Sequence, residues 1–577
     1  MKLMWHYTVR HKKLLLLNFL SVFGFIIIEL GLPTLLARMI DQGVAQQNFD
    51  YVKKMGFVML GVTIIGSILN LFLAYFGAKL TTKIIVDVRD DMYRNIQTFS
   101  HSEYEKIGVS SLITRITNDA YQVMLFLGQV LRTGFMTPMM FIGSLTMILI
   151  QNASLAKYVL YSIPILLVGI YLIAKYSEPM SQRQQKSLDK INRIVRENLS
   201  GLRVVRAFVN EKFQEKRFGE VNEVYAKNSI NLFTLMSSAQ PVFFIFFNFI
   251  IVLVIWVGAK QIEVGSLQVG ELVAFIEYIF HALFSFMMFA GIFIMYPRAA
   301  VSADRIQEVL DTKTSILPNE GGTTTTETAG YVEFKEVSFA YDDTESPVLR
   351  NISFSAKPGQ IVAFIGSTGS GKSTLIQLLP RFYDVTKGQV LIDGVDVRDY
   401  NIDSLRKKIG YIPQKALLFS GTIRDNLLFG NPDAKAEDFD YALEIAQAAD
   451  FVSQKEKGLE EPVSEGGSNF SGGQKQRLAI ARALIRRPSI YVFDDSFSAL
   501  DYATDARLRK RLAQEITDAT VFIVAQRVST IMNADQIIVL NEGEIVGQGT
   551  HQELLKSNQI YYDIASSQLS EEELAYE

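Results

Sequence analysis

A chain of 577 residues is long enough for several domains, and its composition (49% hydrophobic, 20% charged, mean hydropathy +0.18) places part of it in lipid. A net charge of −3 argues against a nucleic-acid surface, which would show as a basic excess. The absence of cysteine excludes disulfides, thiolate metal sites and cysteine nucleophiles, and of the five histidines only His6 and His11 are close in sequence, with no further zinc ligand near them.

The chain begins with a basic stretch (Lys2, Arg10, Lys12, Lys13) and an apolar run that continues to about Ile40. That run is too long for a signal peptide and has no small-residue cleavage site, so it reads as an interfacial helix followed by a membrane span. Six stretches approach the ~20 residues a bilayer crossing needs. They are Leu14–Ile40, Met55–Phe76, Phe135–Ile150, Tyr158–Ala174, Leu235–Ala259 and Val269–Tyr296, the third and fourth being short enough to require extension at their ends.

Two polar, helix-like segments interrupt the series, Lys79–Arg132 and Lys175–Leu232, the second rich in Lys and Arg. The links near Gln151–Lys157 and Gly258–Gly270 are nearly free of basic residues, so the long segments and both termini are assigned to the cytoplasm; Lys53 and Lys54 run mildly against this without reversing it.

The fifth and sixth spans carry Phe243, Phe244, Phe246, Phe247, Phe249, Phe280, Phe284, Phe286, Phe289 and Phe293. Most such rings pack against lipid and neighbouring helices, but a few lining a cavity would suit large amphipathic compounds. Charges at membrane depth cost ~2.5–3.5 kcal/mol each on insertion scales, so Glu29 and Glu277 are expected to face protein or water. Glu277 and His281 share a helix face, and with Glu29 they are candidate cargo contacts, structural pairing being the alternative.

A linker follows, with Pro318-Asn319-Glu320-Gly321-Gly322 and a run of four threonines. The resulting division is a transmembrane domain over 1–310, a linker over 311–329 and a third part over 330–577. In that last part short β-rich runs alternate with helical ones, the pattern of an α/β domain with a largely parallel sheet. The apolar run Ile361–Ile365 leads directly into Gly366-Ser367-Thr368-Gly369-Ser370-Gly371-Lys372-Ser373-Thr374 and then a helical stretch. Strand, glycine-rich loop and helix in this order make a phosphate-binding loop. Its backbone N–H groups curl around phosphate, Lys372 reaches the terminal phosphates, and the Ser373 hydroxyl can ligate Mg²⁺. A second buried strand, Ile490–Phe493, ends in Asp494-Asp495, where an aspartate can hold the Mg²⁺ shell.

Between these elements stands Ser471-Gly472-Gly473-Gln474, opening another helix. Six spans with long cytoplasmic extensions, then phosphate loop, Ser-Gly-Gly-Gln and acidic strand tip, resemble one half of an ATP-binding-cassette (ABC) exporter over the whole chain. The fold this implies is a multi-domain membrane protein: an all-α six-helix transmembrane domain followed by an α/β P-loop nucleotide-binding domain that binds ATP and Mg²⁺. By the same resemblance Tyr341 stacks on adenine, Gln414 touches Mg²⁺, and Asp501 crosses to a partner's site. Glu465 is implied to meet cytoplasmic helices of the membrane domain, expected near Leu112–Asp119 and Arg206–Phe218.

Two positions depart from the family. The acidic residue after the Mg²⁺ aspartate is usually a glutamate that polarises the attacking water; here it is Asp495, one methylene shorter. A histidine normally contacts the γ-phosphate after the strand Val521–Ala525; here it is Gln526, which donates a hydrogen bond but carries no imidazolium. A displacement of roughly an ångström can cost about 10²-fold, and general-base catalysis is worth roughly 10²–10⁴. The expectation is slow hydrolysis at the site of Lys372. Because Ser471–Gln474 is intact, the partner is expected to be a second, non-identical half carrying the full glutamate and histidine. The expected role is ATP-driven efflux of amphipathic compounds across the cytoplasmic membrane. The alternatives are export of a specific lipid, peptide or glycoconjugate, uptake of a metal chelate, or a nucleotide-gated channel or regulator.

Overall fold

A computed structural model of the chain describes residues 2–326, 329–342 and 346–569; the side chains at 286, 290, 293 and 294 also lie outside the described set, Phe286 and Phe293 among them. The chain forms two compact units, one of residues 1–97 and 110–311, the other of residues 98–109 and 312–577.

The first unit is helical throughout. A short amphipathic helix α1 (Lys2–Arg10) precedes α2 (Lys12–Arg38), and α3 (Phe49–Gln97) follows a π-helical turn at Met39–Val44. The next helices are α4 (His101–Ile107), which belongs to the other unit, then α5 (Val109–Thr114), α6 (Ala120–Gln129) and α7 (Phe135–Gln151), the last three joined by π-helical turns. Beyond them come α8 (Ala153–Ser200), α9 (Leu202–Ala207), α10 (Glu211–Glu263) and α11 (Val269–Asp311). Among the described residues, six helical stretches are long and apolar enough to cross a membrane. Helix is what such sequence must form there, because lipid offers no partner for a free backbone N–H or C=O. At 1.5 Å per residue, the 53-residue α10 runs roughly 80 Å, far beyond a bilayer's hydrocarbon depth.

Polar contacts register these helices. Tyr7 donates to Asp91 at 2.8 Å and His11 lies 2.9 Å from Asp87, fastening α1 and the start of α2 to α3. The buried Tyr278 hydroxyl donates to Leu30 O at 3.0 Å, and Asn18 donates to Leu131 O at 2.9 Å. The N–H of Gly270 donates to Asp41 at 2.7 Å; a Cβ there would stand 2.3 Å from Ala37 O, so only glycine permits this approach.

The second unit contains two main sheets. Its elements are β1 (Val332–Phe339), β2 (Leu349–Ala356), β3 (Ile361–Gly366), α12 (Lys372–Gln377), β4 (Lys387–Ile392), β5 (Val395–Asp396), α13 (Ile402–Lys407) and β6 (Ile409–Ile412). A helical subregion follows with β7 (Gly421–Thr422), α14 (Ile423–Leu428), α15 (Ala436–Ile445), α16 (Ala449–Ser453), β8 (Pro462–Val463) and α17 (Gly472–Leu484). The chain closes with β9 (Ile490–Asp494), α18 (Tyr502–Glu515), β10 (Thr520–Val524), α19 (Val528–Ile531), β11 (Gln536–Asn541), β12 (Glu544–Gly549), α20 (His551–Ser557) and α21 (Gln559–Ser566). The six-stranded sheet has order β12-β11-β3-β10-β9-β6, parallel except for β12. All five residues of β9 and of β10 are buried, which is why both read as unbroken apolar runs: a parallel sheet is covered on both faces. The four-stranded antiparallel sheet, β2-β1-β4-β5, shares a core with one face of the larger one.

Helix α4 packs within this second unit, although it lies in sequence between the second and third spans. Ser100 caps it, its N–H and hydroxyl donating to Glu103 at 2.7 and 2.6 Å, and Glu103 also accepts from Ser315 N at 3.0 Å. Ser102 donates to Asp342 at 2.7 Å. This corrects the sequence expectation: Leu112–Asp119 lies in the membrane unit, and the helix meeting the nucleotide domain is His101–Ile107. The other expected segment, Arg206–Phe218, forms the turn from α9 into α10, where Phe208, Val209 and Phe213 are exposed.

Candidate ATP site

The site forms where β3, β9 and β10 end, at the carboxyl edge of the parallel sheet. Gly366, Gly369 and Gly371 have φ of 153°, 85° and 95°. A Cβ on Gly366 would meet Leu540 O at 2.0 Å, so the first turn of the loop requires glycine. Lys372 opens α12 and donates to Gly366 O at 2.9 Å and Ser367 O at 2.7 Å. Burial pulls its pKa below the ordinary lysine value, while Asp495 and Asp494 act in the opposite direction.

Asp494, at the tip of β9, accepts from Ser373 Oγ at 2.8 Å through one oxygen and from the Tyr411 hydroxyl at 3.1 Å through the other. Asp495 follows in a left-handed conformation, φ 47°, its N–H bonded to Val524 O at 3.0 Å. One oxygen of Asp495, Oδ2, accepts from both Gln414 Nε2 and Gln526 Nε2, each at 3.0 Å. Burial raises the pKa of both aspartates. Gln414, Asp495, Gln526, Val348 and the loop Thr368–Thr374 surround a cavity of about 300 Å³.

The donor set fits MgATP. The glycine loop leaves its N–H groups free of side-chain obstruction, and buried Asp494, on which Lys372 acts, has a second carboxylate, Asp495, beside it, which favours an added cation. Ser373, Asp494 and the amide oxygen of Gln414 would supply hard oxygen ligands of the kind Mg²⁺ takes. Mg²⁺ would neutralise phosphate charge there.

Other predicted residues lie apart from this cavity. Tyr341 shares a hydrogen bond with Thr374 at 3.0 Å, and its ring stands edge-on to Phe339 and Tyr383. It lines a neighbouring cavity of about 230 Å³ with Glu105 and Tyr383. Ser471 caps α17: its N–H donates to Gln474 Oε1 at 3.0 Å, and its hydroxyl accepts from Gln474 N at 3.3 Å. Asp501 caps α18 by accepting from Thr504 N at 2.9 Å. Ser471, Gly472, Gly473, Gln474 and Asp501 do not line the cavity around Lys372. Glu465 is exposed in a short turn, and His551 is buried against Tyr561 at 2.6 Å.

In the membrane unit, α8, α10 and α11 enclose a cavity of about 770 Å³, lined by Ile170, Met236, Phe243, Met287 and Pro297, with Glu178 at its edge. Phe243 and Met287 also line a smaller pocket bounded by Phe247, Phe280 and Phe284. Glu29 and Glu277 both act electrostatically on His281, but none of the three lines either cavity. Tyr411, Val348 and Glu178 were not singled out from sequence. Tyr411 stands three residues before Gln414, which was the only signal available for any of them.

Six spans joined to a P-loop domain with an Asp-Asp strand tip define an ATP-driven membrane transporter. Residues 15–287 match the family model described as the ABC transporter transmembrane region, and residues 349–498 match the one described as ABC transporter. An uncharacterised ABC transporter ATP-binding protein of Mycobacterium tuberculosis is 42% identical over 545 residues, 94% of this chain and 93% of the relative. Another, YfiB of Bacillus subtilis, is 37% identical over 94% of each chain. The chain belongs to the ABC transporters. A bacterial Atm1-family ABC exporter, solved with ATP bound, shares the fold with a TM-score of 0.80 at 22% identity, covering 97% of this chain and 99% of that one. The protein is a multi-pass membrane protein of exporter type with a cytoplasmic nucleotide-binding domain.

Proposed function

We propose that this chain is half of an exporter of amphipathic compounds, that its own site holds MgATP better than it cleaves it, and that its signature motif completes the site of a non-identical partner. The observation carrying this reading is the double hydrogen bond to Asp495 Oδ2 from Gln414 and Gln526. Burial raises the carboxyl's pKa, but two amide donors already occupy this oxygen, so it is badly placed to receive a water proton. Gln526 also commits to Asp495 one of the two N–H donors that it could offer a γ-phosphate. With Asp495 one methylene short of glutamate, Lys372 and Ser373 bind and orient nucleotide while the proton acceptor is badly placed.

The test is ATP turnover by the chain purified alone, beside a variant carrying Asp495→Glu and Gln526→His. The wild-type chain should turn over slowly, and the double variant faster by about 10²-fold. Turnover of tens per second by the wild-type chain alone would overturn the reading.

For the cargo, the supporting feature is an apolar cavity bearing a carboxylate, Glu178, beside a cluster of phenylalanine rings. Inverted vesicles containing this chain and its co-expressed partner should accumulate amphipathic dyes in an ATP-dependent way. Glu178→Gln should weaken transport of cationic dyes more than neutral ones. Glu277→Gln applies the same comparison to the separate group of Glu29, Glu277 and His281.

A further inference from the structure

We propose that Tyr411 is a positioning residue for the metal-binding Asp494, and that a stack of rings behind it lets helix α4 set where that carboxylate stands. The inference rests on the reading that Asp494 holds the metal of bound MgATP.

Asp494 is nearly fully buried at 5% exposure, so each of its oxygens needs a donor from the protein. Ser373 supplies one to Oδ1 and belongs to the phosphate loop itself. Oδ2 receives the Tyr411 hydroxyl. Tyr411 lies on β6 opposite Val492 of the parallel neighbour β9, which puts its phenol within reach of the strand tip two residues on.

The phenol is itself held from behind. Its ring meets Phe382 edge-on, with centroids 5.4 Å apart. Phe382 stacks on the imidazole of His101, at 4.5 Å and an interplanar angle of 16°. Arg406 lies 5.7 Å from the Phe382 centroid, and its guanidinium is tied to Pro380 O and Arg381 O at 3.2 and 3.3 Å. His101 is the first residue of α4, four residues beyond the end of the long helix α3. Three side-chain contacts therefore run from the segment between two membrane spans to the metal aspartate: His101 on Phe382, Phe382 on Tyr411, Tyr411 on Asp494. This route does not pass through Gln414. Stacked rings are stiff, so a shift of α4 displaces the phenol instead of being absorbed by rotamer changes.

The test uses the full-length chain in nanodiscs, with trinitrophenyl-ATP as probe and Mn²⁺ as metal. Tyr411→Phe keeps the ring and its packing but removes the hydroxyl. The Mn²⁺ concentration for half-maximal metal-dependent binding should rise about tenfold, in the range seen when side chains that hydrogen-bond to metal ligands are removed. Metal-free nucleotide binding should stay within error, which a merely structural role would not allow, while the thermal midpoint falls modestly because a buried carboxylate oxygen loses its donor. His101→Ala should shift the metal dependence in the same direction, His101→Phe should restore it, and His101→Ala combined with Tyr411→Phe should do no more than Tyr411→Phe alone. An unchanged metal dependence in Tyr411→Phe overturns the role of the phenol, and additive effects in the double variant overturn the link to α4. Asp494→Asn separates the premise: if it too leaves the metal dependence unchanged, the metal reading of Asp494 falls and the proposal with it.

Discussion

Asp495, where the family usually has glutamate, receives two glutamine amides on one oxygen. Its φ of 47° is one that residues other than glycine adopt at a cost of order 1–3 kcal/mol, and such strain collects at functional sites. The sequence revealed both substitutions, since each departs from a family pattern, but not that their side chains meet. Gln414 and Gln526 are far apart in the chain, and the parallel pairing of β9 with β6 on one side and β10 on the other brings them to one oxygen. His101 provides a second residue-scale case. Burial lowers its pKa from 6.5, assisted by Arg406 and opposed by Glu105. A histidine depressed in the fold stays neutral while its unfolded counterpart charges, so its contribution to stability is present above 6.5 and lost as the pH falls below it. Hydrogen-exchange protection of the α4 amides should therefore decrease as pH is lowered through that value, and His101→Gln should flatten the trend; equal slopes in the two proteins would refute it.

At the scale of elements, the strands were the most legible part of the chain because burial on both faces leaves an uninterrupted apolar signature. Phe522 on β10 is fully buried, its ring stacked on Phe364 at 6.0 Å and edge-on to Phe354. Phe522→Ala should destabilise the nucleotide-binding unit by about 3–5 kcal/mol, measured by chemical denaturation, because the packed sheets cannot collapse into the void. The helices between spans were less legible. Their polarity located them outside lipid, yet polarity cannot tell which turn meets another surface. Helix α4 is seven residues long, and its attachment depends on Ser315, Asp342 and Phe382, all more than two hundred positions away. The segment Leu112–Asp119 looked equally suitable and is part of the membrane unit instead. The membrane cavities were the least legible, because which rings of a Phe-rich helix face inward depends on the packing of α8, α10 and α11.

For the whole transporter, the proposed pairing of an intact Ser471–Gln474 with a slow site at Asp495 would make the two ATP sites of the assembly unequal. Substitutions in this one chain should then have unequal effects on the complex with its partner. Ser471→Arg places a bulky cation at the start of α17 and, on the proposed reading, should reduce hydrolysis by the complex by about 10²-fold or more, since it would spoil the partner's productive site. Lys372→Ala, which empties the weak site, should reduce it by less than about 10-fold on the same scale. Equal losses in the two variants would show two equivalent sites and remove the argument for a division of labour.

The unit that binds nucleotide is discontinuous in sequence, entered first at residues 98–109 and again only at residue 312. Ribosomes add roughly 5–20 residues per second, so α4 leaves the exit tunnel some 10–40 seconds before its docking surface begins to be made. During that interval Phe99 and Tyr104, packed against one another in the finished fold, have no sheet to rest against. The contiguous part of the second unit therefore lacks, by itself, the His101 ring that packs on Phe382 and Tyr383. A fragment beginning at the linker should emerge with the Phe382 and Tyr383 rings uncovered, prone to self-association, and recoverable by adding back a peptide spanning residues 98–109.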